Sequence, residues 1–459
     1  MNINRRQWLA TAGLGAAGAF APGAVSAAAA PGLPPGAARD FRNLRITAVR
    51  ITPVALPDPP ILAASGAHGP YFLRNIVEIE TNAAGLRGLG ETRGGETLTK
   101  ALERAASDLV GQNPFAYRRF EAALMKASPA AYAGIELACL DLLGRATGLR
   151  LCDLLGGPVR ERVEFCSYLF YRYAADHPVV FADPQLVDDR GRGDRALDPW
   201  GEVLTPESMA EMAWRFREKW GFRYHKLKAG VLPPDVELET MRAIDARLGG
   251  KDPLRIDPNA RWTVPTALRA AEHLRELPLD YYEDPVRTQE AMAEVRRKTG
   301  LKMSTNMCVT RFEHLPPAVR NEPVDIVLAD HHSFGGMTTC QALGTFADTV
   351  GWALSQHSNN HAGITMAAMI HLGAVVPQLT YASDTHYVWL PEGHDLIVGP
   401  NLPIVGGHMT VPSGPGVGVE LDRAKLAVAH DRYLRSGMRV RNDAQMMLKF
   451  DPNWQRTPF

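Results

Sequence analysis

The sequence predicts an α/β protein, a modified (β/α) barrel of the TIM type with an α+β capping domain. Three observations carry that expectation. First, HKLK at 225–228 places Lys226 and Lys228 two residues apart, so on a strand both ammonium groups leave one face. Like charges on one face are costly to bury unless anionic groups stand opposite. Second, polar groups follow at regular intervals: Asp257 in RIDPNARW, Glu283 in DYYEDPV, Asn306 in STNMCVT, Asp330 in DIVLADHH, His357 in SQHSNNH and His386 in SDTHYVW. The steps from Lys228 are 29, 26, 23, 24, 27 and 29 residues. Third, each polar residue closes a short apolar run, and each gap has room for one helix. A barrel with its chemistry at the strand C-termini has this rhythm.

Taken in order, the chain begins with Arg5-Arg6 ahead of Gln7-Trp8-Leu9. An Ala/Gly-rich apolar run to about Phe20, Pro22 and the small residues VSAAAA come next. This reads as a twin-arginine export signal over 1–27, cut near Ala27, and implies a periplasmic or otherwise exported protein. The apolar run is too short and too glycine-rich for a stable membrane span. Residues 28–43 read as a linker.

Strands are expected from Leu44 to Ala55 and from Ile76 to Glu80. The stretch ILAASGAHGPYF joins them, and its glycines suggest a mobile connection. Helical spacing runs from Leu98 to Val110, with Leu102, Ala105, Ala106 and Leu109 on one side. A second helix is expected from Pro114 to Lys126, and a third in AAYAGIELACLDLLGRATG. Residues 44–158 thus make the capping domain. After the turn at Gly156-Gly157-Pro158, VEFCSYLFY opens the barrel, residues 159–405. Ala175 to Trp200 is polar and aperiodic, and reads as a loop over the barrel mouth. Residues 406–459 supply a last strand and helix and return to the cap.

Composition narrows the function. Fifty basic and fifty acidic residues balance, so nothing points to a nucleic-acid partner. Five cysteines, at 139, 152, 166, 308 and 340, are odd in number and scattered, with no CxxC. Neither a disulfide framework nor a zinc site is expected. A closed homo-oligomer is the default assembly.

Asp257, Glu283 and Asn306 fall at three successive strand ends, which a barrel gathers on one rim. Three oxygen donors suit Mg²⁺, a hard ion that keeps positions open for substrate. Lys228 stands on one side of that position and a His357/Asp330 pair on the other, with Asp330 orienting the imidazole and raising its basicity. One lysine base, one histidine base and Mg²⁺ suit removal of a proton α to a carboxylate, because the ion stabilises the enediolate. Lys226, a cationic neighbour, favours the neutral, basic form of Lys228.

These residues, with SGAHGPYFLRN, ETRGGE, AGIELACLDLLG, HKLKAGV, YYEDP, HSNNH and PGVGVELD, make the chain resemble the enolase superfamily and, within it, the glucarate dehydratase group. The resemblance spans nearly the whole chain after the signal. It implies Lys228 and His357–Asp330 as the two bases and Asp257, Glu283 and Asn306 as Mg²⁺ ligands. It also implies His68, Tyr168, Asn259, His386 and Arg441 as contacts to a small acid-sugar substrate. The implied reaction removes the α-proton and then the β-hydroxyl, giving a 2-keto-3-deoxy acid. Two departures bear on which acid is taken: the stretch between Phe120 and Gly134 is shorter than in that group, and His331 stands where proline is usual. The same residues would also serve an acid-sugar racemase or epimerase. A non-catalytic acid-sugar binder is a further alternative, though it would have no need of both bases.

Overall fold

The computed structural model describes residues 41–174, 177–179, 200–456 and 458–459. The stretch read as an export signal, most of the expected linker and nearly all of Ala175–Trp200, expected as a loop, lie outside the described residues.

The N-terminal layer is an antiparallel sheet of β1 (Ile46–Pro57), β4 (Tyr71–Thr81) and β5 (Arg87–Arg93), in the order β1-β4-β5. Its central strand β4 reads YFLRNIVEIET and is buried over its first nine residues, as expected of a strand covered on both faces. The helix Pro129–Thr147 lies against β5 and is buried almost throughout. Between β1 and β4, the glycine-dotted stretch is not a loose connection. It forms a hairpin of β2 (Leu62–Ala63) and β3 (Gly66–Ala67), with Ile61, Leu62, Ala67 and His68 buried. Gly66 has φ 129°, and a Cβ there would lie 2.3 Å from the Asp443 carbonyl oxygen. This glycine permits a close approach of two chain segments, which its sequence signal cannot distinguish from flexibility.

The helix expected from Pro114 to Lys126 is broken. A 3₁₀ segment, Pro114–Phe120, with non-helical backbone at Ala116 (φ −97°, ψ 29°), precedes an α-helix at Glu121–Ala127.

The barrel consists of eight parallel strands: β6 (Arg162–Phe170), β7 (His225–Lys228), β8 (Leu254–Asp257), β9 (Leu279–Glu283), β10 (Met303–Thr305), β11 (Ile326–Ala329), β12 (Ala353–Gln356) and β13 (Ser383–Thr385). Each pairs with its neighbour in sequence from β6 to β12, and β13 pairs with β6. Between β12 and β13 the ring is closed by a bridge at Leu354–Leu379 and by Ser355 Oγ donating to the Ala382 carbonyl at 2.9 Å. Threonine side chains start three of the outer helices: Thr205, Thr263 and Thr288 accept the N–H of Ser208, Thr266 and Ala291.

β14 (His408–Thr410) pairs antiparallel with β6, so the first residues of the C-terminal segment belong to the barrel. The helix Arg423–Ser436 returns to β1, and the helix Asp443–Phe450 reaches β3. Phe459 ends back on the barrel, exchanging backbone hydrogen bonds with Arg261 and Thr263. All five cysteines are buried and free. Among the described residues, no helix is long and apolar enough to cross a membrane.

Candidate active site

Lys228, Asp257 and Glu283 are the last residues of β7, β8 and β9, while Asn306, Asp330, His357 and His386 directly follow β10, β11, β12 and β13. One rim of the barrel therefore carries all seven. Its floor is a fully buried charge cluster. Lys226 Nζ donates to Glu283 Oε2 at 2.5 Å and to Asp384 Oδ2 at 2.7 Å, and lies 3.9 Å from Asp257 Oδ2. Burial alone would discourage its charge, but Asp384, Glu283 and Asp257 outweigh burial and hold the ammonium protonated well above the ordinary lysine range. Lys226 is thus a cation bound by three carboxylates, not an unbalanced charge facing Lys228. Lys228 Nζ donates to Asp257 Oδ2. The Tyr168 hydroxyl donates to Asp384 Oδ2 at 2.7 Å, and its ring lies beneath both ammonium groups, 4.9 and 5.5 Å away.

The turn after β8 braces Asp257. Asn259 and Ala260 have φ of 51° and 56°, which turns the Asn259 N–H onto Asp257 Oδ1 at 2.9 Å. The Asn259 side-chain amide bonds the Asp257 carbonyl at 3.3 Å, so Asn259 supports a rim carboxylate rather than projecting from the rim. Gly230, φ 73°, crosses just above, where a Cβ would meet the Pro258 carbonyl at 2.2 Å. Asp284, also at positive φ (35°), accepts the Asn306 N–H at 2.7 Å and the Thr305 hydroxyl, which fixes where Asn306 stands.

Two acceptors on this rim, Glu283 Oε1 and Asn306 Oδ1, are buried without a hydrogen-bond partner. Acceptors left so are costly and mark a place for a ligand. Burial, and next the Asp257 charge, drive the Glu283 carboxyl well above its usual range, a conflict that a divalent cation relieves. Asp257, Glu283 and Asn306 offer oxygen only, and so fit Mg²⁺. Asp330, His331 and His332 also gather, with ligand atoms within 4.8 Å. Guanidinium groups of Arg93 and Arg74 lie on Asp330 and His332, which suits a further cation badly.

Across the rim, His357 Nδ1 lies 3.1 Å from Asp330 Oδ2. Asp330 stays ionised far below the usual carboxylate range: burial opposes this, but Arg93, His332 and His357 prevail. The expectation that Asp330 raises the basicity of His357 holds for that pair alone. Burial dominates and sets the His357 pKa below its ordinary value, so the imidazole is neutral, with Nδ1–H turned to Asp330 and Nε2 left as acceptor.

The third group closes the mouth from the cap and the C-terminal segment. Arg441 donates to Asn360 Oδ1 at 2.6 Å and Asp443 Oδ2 at 3.2 Å, and lies 3.6 Å from Asp58. His68 sits 3.3 Å from Asp58 and stacks on His386 with ring centroids 5.9 Å apart. His386 in turn meets the edge of Tyr168 at 6.2 Å, which joins this group to the charge cluster. Sequence reasoning missed Asp384, Asp58, Arg93, Asn360 and Asp443. Asp384 could have been found, since it precedes His386 by two residues in a polar stretch ending a strand.

Fold and rim define a capped (β/α) barrel with acids, lysines and a His–Asp pair at its strand C-termini. Residues 46–156 match the family model "Mandelate racemase / muconate lactonizing enzyme, N-terminal domain", and 208–425 match "Enolase C-terminal domain-like". A Streptomyces coelicolor protein described as "Probable glucarate dehydratase" is 40% identical over 440 residues, 90% of this chain and 98% of that protein. An enolase from Pseudomonas fluorescens, solved with magnesium, potassium and tartrate, is 39% identical with a TM-score of 0.83 over 91% of this chain and 99% of that one. An enolase from Thermobispora bispora, solved with magnesium and formate, is 40% identical, also with a TM-score of 0.83, over 90% and 99%. The chain belongs to the enolase superfamily.

Proposed function

We propose that the protein is a Mg²⁺-dependent acid-sugar dehydratase, with a glucarate-type diacid as first candidate substrate. The observation that carries this reading is the pair of opposed bases, Lys228 and His357–Asp330, flanking the unpaired acceptors of Glu283 and Asn306. The likeness to the Streptomyces protein supports the choice of reaction. Asp257, Glu283 and Asn306 would hold the ion, whose charge makes the hydrogen beside the substrate carboxylate more acidic.

Lys228 Nζ or His357 Nε2 takes the α-proton, depending on the face presented. Where His357 takes it, the imidazolium so formed, its Nδ1–H held by Asp330, is then the acid that returns that proton to the departing β-hydroxyl. Arg441, His68, His386 and Tyr168 position the acid sugar, and Asn259 acts through Asp257. Export through the twin-arginine route belongs to the same proposal, resting on Arg5-Arg6 and the run after them. Cell fractionation with and without Arg5→Lys/Arg6→Lys tests it.

The test of function is incubation of the Mg²⁺-loaded protein with hexarates and aldonates in D₂O, following 2-keto product and deuterium uptake at C2. A keto product abolished by Lys228→Ala or His357→Asn supports the dehydratase. Deuterium uptake with no keto product transfers the reading to an epimerase. Silence across the panel removes the glucarate assignment.

A further inference from the structure

Arg93, the last residue of β5 in the cap, reaches the barrel rim and donates from one guanidinium nitrogen to Asp330 Oδ2 at 2.5 Å and Ser333 Oγ at 2.8 Å. That carboxylate oxygen is also the partner of His357 Nδ1, at 3.1 Å, and of the Asn359 amide, at 3.3 Å. The other oxygen accepts the His332 N–H at 2.9 Å, with His332 Nδ1 at 3.3 Å. A carboxylate has a finite capacity to accept, and a charge-assisted bond is the strongest claim on it. With Arg93 in place, Asp330 has less negative potential to offer an imidazolium. The cap is thereby fastened to the carboxylate that orients the histidine base.

We propose that Arg93 is a positioning residue that governs, through Asp330, how tightly His357 holds its second proton. The proposal rests on the reading of His357 as a base, and Arg93 itself touches no reacting atom. The charged groups around His357 are Asp330, Lys228 and Asp384. Those around Asp330 add, besides Arg93, His331 and His332, and Arg74 lies behind at 3.2 Å from His332 Nε2. None of these others places a cation directly on the Asp330 carboxylate, so Arg93 alone can be removed without moving a base. Arg93 also borders a cavity of about 290 Å³, lined by Asn359, Asn360 and Arg441. That is room for a free guanidinium ion to take its place.

The experiment uses the full chain with Mg²⁺ and ¹³C-labelled histidine, the His357 signal being assigned by its loss in His357→Asn. NMR titration of that ring needs no turnover, so it stands even where no acid sugar reacts and the proposed function falls. In Arg93→Met the midpoint of His357 rises by about one pH unit, a tenfold change in the protonation equilibrium. Guanidinium chloride, but not NaCl at equal ionic strength, brings it back. If turnover is present, the acid limb of kcat/KM moves with it. Arg93→Gln, which keeps N–H donors without charge, gives an intermediate shift and serves where Arg93→Met does not fold. A midpoint unmoved in a folded variant, or a shift that guanidinium does not reverse, overturns the proposal.

Discussion

Asp384→Asn is the sharpest perturbation of the buried floor, because it removes one negative charge and changes almost no volume. Asp384 Oδ2 takes hydrogen bonds from Lys226 and Tyr168, both at 2.7 Å, and Arg255 lies 3.7 Å from its other oxygen. All four side chains are buried. Removing one partner of a buried, hydrogen-bonded ion pair costs about 3–5 kcal/mol, since the remaining charge stays desolvated. An unfolding entropy of about 2.1 cal/mol/K per residue over roughly 420 folded residues converts that to a fall in Tm of about 3–6 °C. Calorimetry with EDTA present avoids masking by a bound ion. Lys226→Met alone leaves Glu283, Asp257 and Asp384 facing one another and should cost at least as much. The double variant should cost less than the sum, because each change removes what the other left unbalanced. An Asp384→Asn protein melting within 1 °C of the parent, or strict additivity in the double variant, refutes the reading of Lys226 as a cation bound by these carboxylates.

Three further outcomes are expected. His371 accepts the Cys152 N–H at its Nδ1 and faces the Val417 carbonyl with Nε2, and burial holds its pKa down at about 4. Its unfolded form binds a proton near pH 6.5, so its contribution to stability is full above that pH and is lost as pH falls towards 4, by about 3 kcal/mol. His371→Asn should flatten the fall of Tm with acid, and an unchanged slope counts against it. Gly66→Ala should push Asp443 away from the hairpin and loosen Arg441, raising KM about tenfold more than it lowers kcat; a change in kcat alone rules this out. Chelation should abolish turnover with far-UV circular dichroism intact, and Mg²⁺ at a hundred times its Kd should add about 2.7 kcal/mol of stability. EDTA-resistant turnover excludes a role for the ion.

The legible part of this protein is the part that a linear chain must repeat. A barrel returns to its rim once per strand and helix, so Lys228, Asp257, Glu283, Asn306, Asp330, His357 and His386 could be placed from spacing, and each closes or follows a strand. What stayed hidden was each group's partner, because a partner is chosen by tertiary approach and leaves no period. Lys226 could be read as a charge needing compensation, yet one of the carboxylates that supply it, Asp384, lies 158 residues away on β13. The reading of Lys226 is incomplete for the same reason: without Asp384, a second lysine reads only as a cationic neighbour of the first. The hairpin at Leu62–Ala67 was misjudged for a related reason. Glycine carries one sequence signal for two opposite circumstances, freedom and contact, and only the Asp443 carbonyl against Gly66 decides between them. Arg93 combines both cases, a polar residue that ends a strand just before two glycines and whose meaning lies 237 residues on, at Asp330. Such cross-layer contacts are also where members of one superfamily can differ while the rim stays the same. The identity of the acid is therefore better sought in what Arg93, Asn360 and Arg441 touch than in the bases themselves.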